Sequence, residues 1–506
     1  MGAAAFVTPV SMAHNAPMTG EITLPLWLFV VLLLFAAVMV LDRILMPGVR
    51  WFLRRRVNRV IEEINTRLDI QIRPFQLTRK QALVDQLVFD DKVVTAIRAY
   101  AAEHNMPTEV AQAKAVKYAN EIVPAFNAYV YFRLGYWLAK KIARLMYRIR
   151  VGFYDAGEMQ NIPPDASVVF VMNHRSNMDY VLVSFLVAER TALSYAVGEW
   201  ARIWPLQTLI KSMGAFFVRR NSGNPLYRKV LERYVNLSTR AGVCQAVFPE
   251  GGLTRDGEMR EPKLGFLDYM LRDYHPAHDR EVVFVPVGIN YDRVVEDKSL
   301  VRRLDPDAKR RSKWFVIRTS TRFILKTLLM ERRQRWRRFG YAAVNFGKPV
   351  YARAFCVARA AATGAADFSK LEKTQRIDCV TTLARQLMQA IARVVPILPV
   401  PLMSEIVLAQ GDTWSSELEL KARAVERIAQ LRDMGAPIDI SDAACERVLT
   451  AALDMLAGRG FVDINEQSLY RANADRVAVL RYYANSIRHW SASVSGRESV
   501  SSANLI

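Results

Sequence analysis

The chain has 506 residues, of which 51% are hydrophobic and 24% are charged. A chain of this length and apolar content can bury a core, which excludes a wholly disordered protein and predicts about three domains. Lysine and arginine outnumber aspartate and glutamate by 70 to 49, so we expect an anionic partner: acidic lipid, nucleic acid, or a phosphorylated or acidic-protein substrate. The four cysteines are far apart, which excludes a disulfide framework or a zinc knuckle and suits a reducing compartment.

An uncharged apolar run, ITLPLWLFVVLLLFAAVMVL, occupies residues 22–41. About 20 apolar residues at a rise of about 1.5 Å each cross a bilayer core, so the run predicts a transmembrane anchor after an N-terminal tail, residues 1–21. Six arginines follow between positions 43 and 59. The positive-inside rule then places the rest of the chain on the cytoplasmic face of the inner membrane. The pattern leaves open whether the run spans the bilayer or lies along its interface.

The hydrophobic pattern changes twice along the rest of the chain. Residues 42–150 combine a basic juxtamembrane segment with apolar residues at three- and four-residue spacing, which predicts a helical N-terminal domain. Between 151 and 355, short runs rich in Val, Phe and Ile alternate with helical stretches, which predicts an α/β domain with a central mixed sheet. Residues 356–490 return to a helical pattern, and the polar residues 491–506 predict a disordered tail.

A strongly basic stretch lies at positions 302–338, where fourteen lysines and arginines face three acidic residues. Tryptophan, phenylalanine and leucine side chains are interleaved with these charges. The combination predicts an amphipathic surface for acidic lipid headgroups or for an acidic protein partner. Nucleic acid is not an expected partner, because no recognition motif accompanies the charge and the predicted anchor argues against it.

A histidine and an aspartate lie five residues apart where a predicted strand ends. His174 follows the apolar run VVFVMN, and Asp179 falls in the first turn of the next helical run. Open α/β sheets bind ligands at such strand ends. A short loop lets the carboxylate accept the Nδ1–H of His174, which leaves Nε2 to take a proton from a substrate hydroxyl. No G-x-S-x-G motif occurs, so the substrate is expected to supply the nucleophile; the alternative is a helix-capping aspartate beside a structural histidine.

Three further strand ends carry polar or special residues. GAFFVRR ends in Arg219 and Arg220, whose permanent charges and fixed donors suit a phosphate. FPEGGLTR carries a carboxylate and two glycines that let backbone N–H groups approach an anion. VPVGINYD has Pro286 near its middle, which predicts a strand at a sheet edge or bulge. Taken together, these strand ends favour a binding site over unrelated structural features.

Four motifs therefore occur in order along the chain: NHRSNMD, GAFFVRR, FPEGGLTR and VPVGINYDRV. The set resembles the motifs of the glycerolipid acyltransferases. It is most similar to the glycerol-3-phosphate acyltransferases, because of the paired arginines, the PKLG at 262–265, and the flanks KYANEIVPAF and LRYYANSIRHW. The resemblance extends over residues 101–490. It implies an α/β fold with a central mixed sheet of the glycerolipid acyltransferase type, between helical N- and C-terminal regions.

The resemblance also implies a role for each matching residue. His174 would be the general base that deprotonates the acceptor hydroxyl, and Asp179 would orient it, without an acyl-enzyme. The residues that would bind the acceptor or shape its site are Arg219, Arg220, Glu250, Gly251, Gly252, Thr254, Arg255 and Lys263. Asn177 and Leu253 depart from the family pattern, at positions where members often carry histidine and arginine.

The activity implied by the resemblance is transfer of a fatty acyl group to the sn-1 hydroxyl of glycerol 3-phosphate. The product, lysophosphatidic acid, is the first intermediate of phospholipid synthesis. The donor would be acyl-CoA or an acidic acyl-carrier protein, and neither a cofactor nor a metal is expected. The alternatives are an acyltransferase acting on lysophosphatidic acid or dihydroxyacetone phosphate, and a non-catalytic membrane-anchored scaffold.

Overall fold

The computed structural model describes residues 73–153, 156–187, 191–198, 206–219, 222–305, 338–438, 440 and 442–491. All of these belong to the second of two compact units, Glu63–Ile506. Outside the described residues lie the predicted N-terminal tail, the anchor predicted at 22–41, Arg220, positions 306–337 of the basic stretch and positions 492–506 of the predicted C-terminal tail. Within the described ranges, no helix is both long and apolar enough to cross a membrane.

Helices occupy the described chain ahead of the sheet, as the apolar spacing predicts. Asp90 caps one of them by accepting the backbone N–H of Lys92, and Pro107 begins the next. Ala111, Ala115 and Ala119 follow at four-residue spacing and are buried. These elements are α1 (Pro74–Leu77), α2 (Lys80–Val88), α3 (Asp91–Glu103), α4 (Thr108–Ile122), a π-helix (Val130–Gly135) and α5 (Tyr136–Met146).

The central sheet of the described residues has eight strands in the order β1-β7-β6-β2-β5-β3-β4, and β8 also pairs with β6. From β6 to β4 the neighbours run parallel, whereas β7 is antiparallel to β6 and parallel to β1. The predicted central mixed sheet is therefore confirmed. The strands are β1 (Arg148–Phe153), β2 (Ser167–Met172), β3 (Ser194–Val197), β4 (Phe216–Phe217), β5 (Gln245–Val247), β6 (Val282–Tyr291), β7 (Tyr341–Phe346) and β8 (Val350–Tyr351).

This topology positions the site. Parallel strands have their carboxyl ends at the same edge of a sheet, so the loops that follow β2, β4, β5 and β6 all leave from one edge. The strand β2 is buried along its whole length, as expected for a strand in the interior of a parallel sheet. The helices between the strands are α6 (Ala156–Gln160), α7 (Met178–Val187), α8 (Leu206–Ser212), α9 (Pro225–Arg240), α10 (Gly265–Leu271), α11 (Asp297–Val301) and α12 (Ala352–Thr363).

Of the two positions predicted for the Pro286 strand, the sheet edge is wrong and the bulge is confirmed, because two residues of the strand (285–286) lie opposite three residues (347–349) between β7 and β8. This strand, β6, lies inside the sheet, with β2 on one side and β7 and β8 on the other. The missing N–H is tolerated because the second side is interrupted there: β7 ends at Phe346 and β8 begins at Val350. In that gap the carbonyl of Pro286 accepts the N–H of Gly347. A proline therefore occupies an interior strand where no ladder bond is required.

The C-terminal region is helical with one small hairpin. Its long first helix begins with a capping box formed by Glu372 and Gln375 and ends against β6. The backbone of Val394 lies so close to Gly288 that a Cβ at that position would be 2.4 Å from its carbonyl oxygen. The elements are α13 (Lys373–Val394), α14 (Pro399–Ala409), α15 (Glu417–Asp433), α16 (Asp442–Gly458), the hairpin β9 (Val462–Ile464) and β10 (Tyr470–Ala472), and α17 (Val477–Ala484).

A half-buried histidine in this region makes stability depend on pH. Burial, reinforced by the charge of Arg175, lowers the pKa of His489 to about 4. The unfolded chain binds the proton near pH 6.5 and the native state only near pH 4, so stability is lost as pH falls through this window. Between pH 7 and pH 5 we expect the wild type to lose about 2 kcal/mol more unfolding free energy than His489→Phe, measured by urea titration. Equal losses in the two proteins would contradict this prediction.

Candidate active site

The loop between β2 and α7 holds the predicted histidine–aspartate pair. The side chain of Asn173 fixes the start of this loop to β6, since it donates to the carbonyl of Ile289 at 2.9 Å and accepts its N–H at 2.8 Å. Next along the chain, the Nδ1 of His174 lies 2.9 Å from Oδ2 of Asp179. The two side chains are only 2% and 0% exposed. The predicted contact is present, and the catalytic role assigned to it stays a prediction.

The Asp179 carboxylate receives further donors besides the imidazole. Its Oδ2 accepts the backbone N–H of Arg175 at 2.7 Å and of Ser176 at 3.0 Å, and its Oδ1 accepts the Tyr291 hydroxyl at 2.7 Å. An ionised carboxylate only accepts, so the proton between Asp179 and His174 is on Nδ1, and Nε2 is left as an acceptor. The interpretation of Asp179 as a helix-capping residue is thus partly correct. Its carboxylate orders the loop through the backbone N–H groups, and it also orients the imidazole.

The sequence prediction gave Tyr291 no role, although it ends the strand VPVGINY. Burial, together with the nearby charge of Asp179, raises the pKa of Tyr291 well above its usual value. The phenol therefore stays protonated and serves as a permanent donor to the carboxylate. The available signal was its position at a strand end that shares an edge with His174.

Replacing Tyr291 with phenylalanine is expected to weaken this arrangement without touching the acceptor. A hydrogen bond to a charged group contributes about 2 kcal/mol, so we expect a comparable loss of unfolding free energy. We also expect a roughly tenfold fall in kcat with little change in KM for the acceptor. Tyr147→Phe is the control, because that hydroxyl donates to the carbonyl of Arg293 instead. A Tyr291→Phe protein with the wild-type kcat would rule out the positioning role.

The loop after β5 is tied to the histidine by Glu250. Its Oε1 accepts the backbone N–H of His174 at 2.9 Å, and its Oε2 accepts that of Arg260 at 3.1 Å. Burial raises the pKa of Glu250, and the charge of Arg175 opposes that rise. The N–H of Thr254 donates to the carbonyl of His174 at 3.1 Å. Both residues therefore shape the site by joining two loops.

Lys263 lies over the glycine turn. Gly251 has a φ of +67°, and a Cβ at that position would lie 2.6 Å from Cδ of Lys263. Only glycine fits both the left-handed backbone and this close approach. Gly252 next to it is buried, whereas Lys263 and Arg255 are exposed. The structure thus gathers the predicted residues of the third motif and Lys263 around one turn, beside the histidine.

Arg219 lies elsewhere on this edge of the sheet and already has an anionic partner. It follows β4, the edge strand, three strand spacings or about 14 Å from β2. Its Nε and Nη2 donate to the two carboxylate oxygens of Glu121 at 2.9 and 2.6 Å. The guanidinium also lies 5.2 Å from the ring centroids of both Tyr118 and Tyr227. A phosphate bound by Arg219 would have to compete with Glu121. Arg220 lies outside the described residues.

Two other contacts to the loop were not predicted. Glu296 accepts the Ser176 hydroxyl at 2.7 Å and the Asn177 amide at 2.9 Å, so the departure from the family pattern at position 177 has a partner here. From the C-terminal region, the Tyr482 hydroxyl donates to the carbonyl of Arg175 at 3.3 Å. These partners are distant in sequence, and only tertiary structure brings them to the loop.

The Arg175 side chain also connects the site loop to the C-terminal region. It is buried, and it donates to the carbonyls of Gly257 and of Ser486, the latter at 3.3 Å. The C-terminal region therefore packs onto the site loop itself. Among the described residues, no group of three or more His, Cys, Asp or Glu side chains is arranged to hold a metal.

The sequence of this chain matches two protein-family models. A family model described as Acyltransferase matches residues 155–290, and one described as Glycerol-3-phosphate acyltransferase C-terminal region matches residues 325–499. The fold and the matched domain define the class, an acyltransferase domain with a helical C-terminal extension. As the motifs predict, the chain is similar to the glycerol-3-phosphate acyltransferase family over these matched regions.

Individual relatives are longer than this chain. It is 30% identical to the glycerol-3-phosphate acyltransferase of Pseudomonas putida over 70% of this chain and 41% of that protein. It is also 30% identical to the one of Pseudomonas entomophila, over 82% and 49%. The chain thus spans about half the length of these relatives or less. A crystal structure of the 1-acyl-sn-glycerophosphate acyltransferase of Thermotoga maritima is 16% identical and covers 61% of this chain and 97% of its own, with a TM-score of 0.28, too low to support an inference.

Proposed function

We propose that the chain transfers a fatty acyl group from an acyl thioester to the sn-1 hydroxyl of glycerol 3-phosphate, giving lysophosphatidic acid in the first step of phospholipid synthesis. The observation that carries the proposal is the buried His174–Asp179 pair at the carboxyl edge of the sheet. Because Asp179 holds Nδ1, Nε2 is the ring nitrogen left for a substrate hydroxyl, and the matched family suggests the substrate class.

The steps follow from the geometry of the pair. Nε2 of His174 accepts the hydroxyl proton as the hydroxyl oxygen attacks the thioester carbonyl carbon. The C–S bond then breaks, the new C–O ester bond remains, and the departing sulfur takes the proton back from Nε2. Asp179 holds the imidazole and stabilises the positive charge it acquires in between. No side chain of the protein becomes acylated.

The acceptor phosphate would bind where cationic and backbone donors lie next to His174. Lys263 and the Gly251–Gly252 turn meet this condition, because Glu250 and Thr254 tie the same loop to the histidine. Arg219 is a second candidate that would first have to release Glu121. The donor is acyl-CoA or an acidic acyl-carrier protein, and the greasy product suits a site at the cytoplasmic face of the inner membrane.

The test is thiol release by detergent-solubilised protein from palmitoyl-CoA and from palmitoyl-carrier protein. Each donor is paired with glycerol 3-phosphate, dihydroxyacetone phosphate or lysophosphatidic acid. We expect turnover with glycerol 3-phosphate, and the better donor identifies the thioester partner. Turnover only with another acceptor would keep the chemistry and reject the proposed substrate. Absence of release with every pair would reject the activity and favour the non-catalytic scaffold.

A further inference from the structure

An unusual apolar surface lies on the π-helix and α5, outside the candidate active site. Tyr129 is 47% exposed, Leu134 47% and Trp137 53%. Single exposed hydrophobic residues, such as Leu418, are normal on a soluble surface. Three large ones within nine residues of one helical segment form a patch instead. We call Tyr129, Leu134 and Trp137 the apolar face of this segment.

The apolar face is held rigidly by its opposite side. The i→i+5 bonding of a π-helix places Tyr129 and Leu134 one turn apart, and Trp137 follows one α-helical turn later. Ala139 and Ala143 point the other way and are buried. Tyr136 stacks on Phe185 of α7 with ring centroids 6.0 Å apart. The patch is therefore a fixed surface of the folded chain.

The charged residues of this segment all have one sign. From position 123 to position 153 the chain carries six lysines and arginines and no aspartate or glutamate. Arg133, Lys141 and Arg144 are exposed, and the Lys141 ammonium lies 4.8 Å from the Trp137 ring centroid. Aromatic and aliphatic side chains ringed by basic ones are typical of helices that lie in the headgroup region of a bilayer.

We propose that the apolar face and its basic rim form a contact surface for anionic phospholipid bilayers. Lysines and arginines near such a surface are attracted to its anionic headgroups, and the apolar side chains enter the headgroup boundary. An acidic protein would match the charges but leaves three large apolar side chains in the middle of the contact. A second copy of the chain would bring two positively charged faces together, which repel.

This surface is distinct in sequence from the anchor predicted at 22–41, and it lies on a segment that contacts α7. The segment packs on α7, whose first turn carries Asp179. A bilayer that contacts the apolar face would therefore lie next to a segment that packs directly on α7, the helix that begins at the candidate active site. A lipid product would then have a short path from the site into the bilayer. Contact at this surface would also set the orientation of the site relative to the membrane.

The test measures local lipid contact on the full chain. Leu134→Cys and Trp137→Cys, each in a Cys445→Ser background, are labelled with an environment-sensitive fluorophore. The matched control is Leu418→Cys, because this side chain is 77% exposed on α15 between Glu417 and Glu419. The proteins are mixed with vesicles of phosphatidylglycerol or of phosphatidylcholine that carry nitroxide-labelled lipid. We expect labels at 134 and 137 to be quenched at least about twofold more than the label at 418, and more on phosphatidylglycerol.

Three results would overturn the proposal. The first is equal quenching at 137 and at 418 on phosphatidylglycerol vesicles. The second is a label at 137 that is already shielded without lipid, since another part of the chain or a second copy would then cover the face. The third is a response at 137 to an acidic carrier protein in place of vesicles. Arg133→Glu with Lys141→Glu, labelled at 134, should lose the preference for phosphatidylglycerol. The readout needs no turnover, so it is independent of the proposed activity.

Discussion

His174→Ala is expected to lower kcat about 1,000-fold with glycerol 3-phosphate, and to lower the unfolding free energy by about 2 kcal/mol because Asp179 loses a buried hydrogen bond. The fall in kcat follows because no base remains to take the hydroxyl proton, and general-base catalysis contributes about 10²- to 10⁴-fold. The fold should survive, since the bonds from position 174 to Glu250 and Thr254 use backbone atoms. The measurement is thiol release at saturating substrate, with urea unfolding alongside.

His278→Ala is the matched control, because His278 is exposed in the loop before β6. It should keep the wild-type kcat. Asp179→Asn should approach the loss of His174→Ala, since an amide no longer accepts the Nδ1–H as a carboxylate does and the imidazole loses its orientation. A His174→Ala protein that keeps more than about a tenth of the wild-type kcat would exclude general-base catalysis by this residue.

Arg175→Met is expected to be the most destabilising single change in the site, lowering the unfolding free energy by about 3–5 kcal/mol. The side chain is buried, and its loss leaves the carbonyls of Gly257 and Ser486 without their donor. It also removes the positive charge that opposes the effect of burial on Glu250. An uncompensated buried carboxylate is among the costliest defects in a protein interior. Urea unfolding at pH 7 measures the effect.

The comparison variant is Arg240→Met, the same substitution at an exposed ion pair with Asp279. Surface ion pairs contribute about 0–1 kcal/mol, so this variant should change little. Adding Glu250→Gln to Arg175→Met should recover part of the loss, because the unpaired charge is then gone. Equal stability of Arg175→Met and Arg240→Met would show that the C-terminal contacts do not support the site loop.

Part of this arrangement could be predicted because it is local. His174 and Asp179 are five residues apart across a strand-to-helix turn, so the contact depends on a short loop and little else. The same holds for Gly251, whose left-handed conformation belongs to a single turn. The mixed sheet follows from alternating runs, since a buried strand and an amphipathic helix each leave a period in the sequence.

The hydrophobic periodicity does not determine the order of the strands in the sheet. A hydrophobic pattern identifies a strand but not its neighbours, so Pro286 leaves open a sheet edge or a bulge, and only the structure shows an interior strand with a bulge. The gap between β7 and β8 that accommodates it forms from residues some sixty positions later. In the same way, the sequence predicts that the guanidinium of Arg219 binds a phosphate, and only the packing of α4 shows that Glu121 binds it instead.

The amino-acid sequence by itself determined the contact between His174 and Asp179, the order of the four motifs and the resemblance to the acyltransferase family, because these depend on residues that are neighbours along the chain. Only the tertiary structure decided what holds the pair in place: Tyr291 behind Asp179, Glu296 beneath the loop, and Tyr482 and Ser486 from the C-terminal region. Those contacts join positions more than 100 residues apart. These contacts depend on which strands pair and on which helices cover the strands. The spacing of residues along the chain determines neither the pairing nor the covering.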